Sequence, residues 1–551
     1  MSVPAASERL DRTVLLQFEA GRLFAERAAA AAPAFAITDA NAATIAEVCH
    51  RLDGIPLAIE LAAVRLNVLS VDQINARLKD RFRLLTGGSR TAVARQRTLE
   101  ATIDWSYDQL SDAERTLLCR LSIFPGGWTL EAAEDVCAGN GIDKEGVLDL
   151  LSRLVDKSLV NTEDDALGRR YRCLETVRQY GRDRLVRSAD AERIRDRHLD
   201  FFFAFARRAE PELIKADQVL WLNRLQLEYS NLRSALEWCL EAPGRGELAL
   251  ELAAALMWFW MKRGYLGEGR EWLERALAAG SGASAALRAK ALSGLGLITN
   301  FQCDIAASHA SLEMSVALAQ EAGDQAVAAW SLGVDALLLV TTDGDAARAA
   351  SFAADSRAMA IASGELWRQG PALSCLAHLA MREGDFDGAC RLTEEALMLF
   401  RRTGDKWPIE QHLTDLAFFR VLAGQYARAE AVCLEGIALG QELADQLMTA
   451  YFIAILAAAR AAQGHAIRSV RLWGAMRRMF ENVGSRLDPM FESSIGDRFL
   501  LPLRQSLGEG AFDALLAEGR AMSLQQAVQY ALAETSHDHI PDAGVRSGLA
   551  E

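Results

Sequence analysis

The chain has 551 residues, 51% of them hydrophobic and 24% charged, enough apolar side chain to bury the cores of three or four domains. Its net charge of −14 repels nucleic acid overall, so DNA binding would need a local basic patch. The most apolar stretch, Leu248–Met261, is too short to span a bilayer, and Met1–Leu10 lacks the pattern of a secretory signal; together they exclude a membrane role and point to the cytoplasm.

Residues 1–16 read as a disordered start, and residues 17–90 as helical. Within that segment Arg51–Ala63 runs RLDGIPLAIELAA, where Gly54 permits close backbone approach and Pro56 suits a helix start. The next region, 91–190, carries helical patterns at Leu99–Leu110, Asp112–Ser122, Thr129–Cys137 and Lys144–Asp156. Two short β-type runs follow, Ser158–Thr162 and Arg170–Leu174, around a polar turn at Glu163–Gly168. Helices followed by a hairpin in that order predict a winged helix. The candidate reading helix, Lys144–Lys157, balances Lys144, Arg153 and Lys157 against Glu145, Asp149 and Asp156, which argues against direct reading of DNA bases.

A helical connector is expected over 191–247, and from 248 to 480 the sequence repeats. Gly344, Gly384, Gly424 and Gly464 open GDAARA, GDFDGA, GQYARA and GHAIRS at intervals of 40 residues. Asp304 and Gly264 continue the beat backwards. A second mark runs through Gly323, Gly364, Gly404 and Ala444. Two turn signals per unit mean two helices, and stacked helix pairs form a solenoid whose groove takes a protein or small-molecule ligand. The phrase resembles the second helix of a tetratricopeptide repeat. Ala349, Ala389, Ala429 and Ser469, each five residues after the glycine, should let helices approach closely. Trp258, Phe259, Trp260, Trp330, Trp367 and Trp407 fall in the repeats, with core packing the default for each.

Residues 481–533 read as a helical cap with breaks at Asp488-Pro489 and Leu501-Pro502, and 534–551 as a disordered tail. The tail's His537 and His539 lack the rigid support a metal site needs. Nine cysteines are scattered singly and read as buried thiols in a reducing compartment.

The GLPL-type motif at Arg51–Ala63 resembles that of NB-ARC domains. LFAERA at Leu23–Ala28, RTLEATIDWSYDQL at Arg97–Leu110 and LSIFPGGWTLEAAEDVC at Leu121–Cys137 carry the likeness onward. So do LLSRLVDKSLV at Leu150–Val160, YRCLETVRQYGRDRL at Tyr171–Leu185 and EYSNLRSALEW at Glu228–Trp238. In this order they resemble AfsR-like and large LuxR-type bacterial regulators within the signal-transduction ATPases with numerous domains (STAND). The resemblance implies an NB-ARC helical subdomain over 17–90, then the winged helix and the repeats. It places Gly54 and Pro56 on the adenine side of a nucleotide pocket. Yet no Gly-Lys dipeptide of a P-loop occurs, no Walker B strand is evident, and Leu174-Glu175-Thr176 stands where relatives place a Met-His-Asp sensor. The chain is therefore expected to be no enzyme, with no cofactor in isolation, and ATP or ADP only beside a P-loop domain in trans. It should act as a regulatory and interaction module, with a P-loop ATPase or cyclase as partner and no direct DNA contact. The alternative is a stand-alone DNA-binding regulator.

Overall fold

A computed structural model of the chain describes residues 1–533 except 4–10, 33–34, 53, 55, 57–58, 60–61, 64–65, 67–68, 78–106, 109, 158, 166–167, 242–243, 343, 483–486 and 488–490. The described residues are all-α apart from one two-stranded hairpin. They divide into two compact units, Met1–Phe205 with Gln226–Trp238, and Ala206–Leu225 with the chain from Cys239 onward.

In the first unit α1 (Arg12–Leu15), α2 (Glu19–Ala31), α3 (Asp39–Arg51) and α4 (Val71–Arg77) surround a core of Leu15, Phe24, Ile45, Val48, Ile59 and Ile74. The expectation of disorder over 1–16 fails at α1: Asp11 caps it through the Val14 N–H, and Leu15 is fully buried. Burial of Leu15 anchors the segment.

The winged helix follows. It comprises α5 (Asp112–Leu121), α6 (Leu130–Cys137) and α7 (Val147–Asp156), the last entered through a 3-10 turn at Lys144–Gly146. Ser111 and Glu114 form a capping box on α5, and Thr129 caps α6 through the Ala132 N–H. Strands β1 (Asn161–Asp165) and β2 (Gly168–Arg172) pair antiparallel, Asn161 opposite Arg172 and Asp165 opposite Gly168. A bridge from Trp128 to Tyr171 extends the pairing. The strands therefore lie nearer the tip than expected: Glu163, Asp164 and Gly168, read as turn, are in the ladder. Cross-strand ion pairs, Asp164–Arg169 at 2.9 Å and Glu163–Arg172 at 3.3 Å, let an exposed ribbon take charged residues. Of the expected first helix at Leu99–Leu110, residues 99–106 and 109 lie outside the described residues. Helices α8 (Glu175–Val186), α9 (Ala191–Ala209), α10 (Gln218–Leu227) and α11 (Tyr229–Glu241) complete this part of the chain.

The second unit is a tetratricopeptide-like solenoid of six helix pairs: α12 (Gly246–Arg263) with α13 (Leu266–Ala279), α14 (Ala285–Phe301) with α15 (Ile305–Ala322), α16 (Gln325–Thr341) with α17 (Ala346–Ser363), α18 (Gly370–Arg382) with α19 (Phe386–Thr403), α20 (Lys406–Leu422) with α21 (Tyr426–Leu443), and α22 (Gln446–Ala462) with α23 (Ala466–Asn482). No described residue between Gly246 and Asn482 is in a strand. Four of the repeating glycines mark left-handed helix stops: φ is +73° at Gly264, +81° at Gly384, +73° at Gly424 and +88° at Gly464. In the second repeat the left-handed position falls on Cys303, φ +61°, one residue before Asp304. The second mark behaves likewise, with φ +73° at Gly323, +77° at Gly364 and Gly404, and +57° at Ala444.

An acid after the stop restarts the chain. Asp304, Asp324, Asp345, Asp385, Asp405 and Asp445 each accept a backbone N–H in the first turn of the next helix. Gly-Asp is thus a stop followed by a start. Five residues past the first stop comes the close contact. Ala349, Ala389, Ala429 and Ser469 are fully buried, and Gly269 and Ser308 hold the same place in the earlier repeats. A Cβ at Gly269 would come within 2.9 Å of the Trp260 Cβ.

Beyond the repeats a π-helix at Glu492–Leu500 runs into α24 (Leu501–Leu507). Pro502 therefore marks a change of helix type and not the expected break, because it occupies the first turn of α24, where no N–H is needed. Residues 488–490 lie outside the described set. Helix α25 (Glu509–Arg520) crosses α23 at Gly474 and Gly519, where added Cβ atoms would meet the Leu516 and Arg471 carbonyl oxygens at 2.2 and 2.0 Å. Helix α26 (Leu524–Leu532) is held by Arg460, which donates to the Ala531 carbonyl at 3.1 Å. The tail 534–551, with His537 and His539, lies outside the described residues. All nine cysteines are free; Cys119 is half-buried, Cys303 exposed and the rest buried.

Ala444→Gly should raise stability by about 1 kcal/mol, since a left-handed backbone strains any Cβ; thermal or urea melts of the two proteins compare directly. Ala389→Trp should cost about 1–3 kcal/mol by overpacking, and an unchanged melting temperature would contradict close packing there.

Candidate functional site

Two places concentrate buried polar chemistry, one in each unit. In the winged helix the focus is Arg120, whose side chain is 1% exposed. Its Nη1 donates to the carbonyls of Cys137 and Gly139, both at 2.7 Å, and Nη2 to Asp190 at 2.7 Å. One guanidinium thus closes the end of α6, the following loop and the start of α9.

The reading helix pairs its two lysines with acids of neighbouring helices. Lys144 pairs with Asp135 of α6. Lys157 donates to both oxygens of Glu114 at 2.8 and 2.9 Å. Burial pushes the Glu114 carboxyl up, but Lys157 and Ser111 hold it below its usual range. Exposed along this segment are Glu145, Asp149 and Asp156 with Lys144, Arg153 and Lys157, three acids against three cations. On the wing, Arg169 and Arg172 are paired within the hairpin. On α8, Arg178 grips Glu175 with two bonds of 2.7 Å, and Arg184 lies 3.5 Å from the Tyr180 ring centre. Arg178 and Arg184 of α8 thus have partners within the domain.

The wing is instead fastened to α11. Arg170 of β2 pairs with Glu228, and Asn231, fully buried, donates to Glu228 at 2.7 Å and to the Gly127 carbonyl at 2.9 Å. Trp238 donates to Asp196 at 2.9 Å. The phrase EYSNLRSALEW is therefore a latch on the wing, a role that sequence order alone did not reveal.

Gly54 and Pro56 sit at one corner of the helical subdomain. Gly54 is buried with φ +62°; its N–H donates to the Cys49 carbonyl at 3.1 Å and its carbonyl accepts the Met1 ammonium at 3.2 Å. It is a helix stop for α3, and a Cβ there would come within 2.5 Å of the Met1 oxygen. Pro56 is exposed in helical backbone. Leu174 precedes α8, Glu175 pairs with Arg178, and Thr176 is buried.

In the solenoid the first helices of the pairs face inward, shown by rings that meet across distant repeats. Trp258 lies 5.7 Å from Trp330 and 6.4 Å from Trp407; Trp330 lies 5.3 Å from Trp367, and Phe301 5.7 Å from Trp407. Phe259 and Trp260 are buried as expected. Beside this belt Lys262, 2% exposed, donates to Asp405 at 2.7 Å, to Gln218 at 3.0 Å and to the Leu213 carbonyl at 2.5 Å. All three ammonium protons are used, which a buried lysine requires. Burial pushes the ammonium below and the Asp405 carboxyl above their usual values, and their mutual attraction opposes both shifts. The pair joins the first repeat to the fifth. Three residues past Trp407, Glu410 is fully buried and neither carboxylate oxygen has a hydrogen-bond partner. Burial, with Asp445 adding to it, pushes its carboxyl up to about 9. Among the described residues no cluster of His, Cys, Asp or Glu could hold a metal ion, and no helix is long and apolar enough to cross a membrane.

Residues 110–186 match the family of the winged helix-turn-helix domain. The chain is similar to mycobacterial proteins: a Mycobacterium tuberculosis protein named "Putative HTH-type transcriptional regulator" is 42% identical over 317 residues, 56% of this chain and 36% of that protein. An uncharacterized protein of the same species is 44% identical over 182 residues, 33% of this chain and 46% of its own length. The chain thus spans between a third and a half of these relatives. A solved STAND protein of Pyrococcus horikoshii with a tetratricopeptide repeat sensor aligns over 93% of this chain and 72% of its own, at 14% identity and a TM-score of 0.44. So distant a match adds nothing to the geometry above.

Glu410 should make the fold lose stability with alkali. Unfolded, its carboxyl titrates near 4.5; folded, near 9. Between those values the folded state binds more protons, so stability falls as pH rises and levels off above the folded value. Glu410→Gln should flatten that slope in melts run from pH 5 to 9, and an unaltered slope would remove Glu410 as its source.

Proposed function

We propose that the chain is a regulatory and protein-interaction module of a bacterial STAND-type regulator, of the AfsR-like or large LuxR kind. In this reading the solenoid receives a partner or ligand, and the winged helix relays the event without reading DNA. The observation that carries it is the fate of the cations on the reading helix. Lys144 and Lys157 are bound to Asp135 and Glu114, and a base-reading helix needs such groups free to face the groove. The latch from Arg170 through Glu228 to Asn231 gives the wing a mechanical partner instead.

Catalysis has no part in the proposal. No P-loop phrase occurs in the sequence, so ATP or ADP would enter with a P-loop ATPase or cyclase domain in another chain, Gly54 and Pro56 standing on the adenine side. The setting is cytoplasmic, and a protein or small ligand occupies the solenoid groove.

Fluorescence anisotropy with promoter and scrambled duplexes at physiological salt tests the relay, alongside phosphate release from ATP with Mg²⁺. Neither sequence-selective binding nor turnover should be seen. Promoter binding at about 10⁻⁸ M with roughly 10³-fold preference would establish a DNA reader, and turnover near ~1 s⁻¹ an enzyme.

A further inference from the structure

Next to the Lys262–Asp405 pair the solenoid holds a cleft of about 430 Å³, within the range of small-molecule sites. Its apolar wall is Val219, Leu222, Leu443, Leu447 and the ring of Trp407, and its polar lining includes Gln218, Lys262, Arg263 and Asp445.

The charges of this lining are settled one by one. Lys262 is neutralised by Asp405 at 2.7 Å. Asp445 accepts the Met448 N–H at 2.9 Å as the cap of α22, so the helix N-terminus offsets part of its charge. Gln218 accepts from Lys262 at 3.0 Å and donates to the Lys215 carbonyl at 3.1 Å. Arg263 is left over. Its Nη2 donates to the neutral Asn223, while its Nε–H is shielded from solvent and has no acceptor. A guanidinium with a missing acceptor, beside an indole and four aliphatic side chains, is complementary to one kind of molecule.

We propose that this cleft binds a small organic monoanion with an apolar body, a carboxylate whose oxygen accepts from Arg263 while its hydrocarbon part lies against Trp407, Leu222 and Leu447. The carboxylate supplies the counter-charge that Arg263, whose Nη2 meets only the neutral Asn223, lacks. Neighbouring Asp445 limits the site to a single negative charge, because a second would meet its carboxylate. The cleft shares Lys262 and Gln218 with the pair that joins the first and fifth repeats, so occupancy would stabilise that closed arrangement. This rests on the ligand-receiving role proposed above for the solenoid, and the relay by the winged helix stands or falls separately.

Isothermal calorimetry on the full chain, with phenylacetate, phenylacetamide and phenethylamine as probes, tests it. Phenylacetate should bind one to one, and the neutral amide and the cation about tenfold or more weakly, the loss of one charge-assisted hydrogen bond. Arg263→Gln should weaken phenylacetate by the same factor without moving the affinity for the amide. If Arg263→Gln does not fold, Asn223→Asp provides an internal carboxylate for Arg263 and should also weaken phenylacetate. Absence of phenylacetate binding, equal binding of the amine, or binding unchanged in the variants overturns the proposal. DNA and ATP measurements are untouched by any of these results.

Discussion

One helix pair cannot hide its own apolar face; only the close approach of the next pair does so, and the solenoid is built around that requirement. Close approach needs a small residue at the crossing and a chain that reverses at a fixed place. Gly269, Ser308, Ala349, Ala389, Ala429 and Ser469 meet the first need. The left-handed stop followed by a capping acid meets the second, because the reversal then takes the fewest residues and leaves few backbone groups unbonded. A repeat of 40 residues is the length of two such helices plus two such corners.

This explains why the solenoid was legible in the sequence and where the reading slipped. Glycine is the residue that tolerates the left-handed corner, so Gly384, Gly424 and Gly464 announce it. Cys303 and Ala444 occupy the same backbone state with a Cβ, and no residue-type signal could distinguish them from helix. At the hairpin the error had another origin. Glu163, Asp164 and Gly168 are turn formers by type, yet this end of the two-stranded ribbon is exposed, and charge pairing across it outweighs intrinsic strand preference.

Buried charges were the part that the sequence hid. Arg120, Lys262 and Arg460 are each 1–2% exposed at the side chain, and in a helical pattern each counts as a polar residue on a solvated face. Their partners lie far along the chain: Asp190 for Arg120, Asp405 for Lys262, and Glu430 with the Ala531 carbonyl for Arg460. Periodicity has no means of pairing residues so far apart. Gly54 shows the opposite limit. Its surrounding phrase only resembles a nucleotide-binding motif, and its geometry is accounted for by ending α3 against Met1.

Asp405 shows how a repeated device becomes specific to one place. Like its counterparts at 304, 324, 345, 385 and 445 it caps a helix, accepting the Trp407 N–H at 3.2 Å. It also receives Lys262 from the first repeat at 2.7 Å, and where Asp304 takes Arg270 at the surface, this pair is buried. A cap alone is a surface interaction worth about 1 kcal/mol. Burying the acid raises the stakes, because either member of the pair without the other would be an uncompensated charge in a dry place. The inner face therefore cannot part at this point without exposing an ammonium, a carboxylate and the Trp258–Trp407 contact together. A joint of that kind holds one arrangement or gives way as a whole, the two-state behaviour that a binding event can bias.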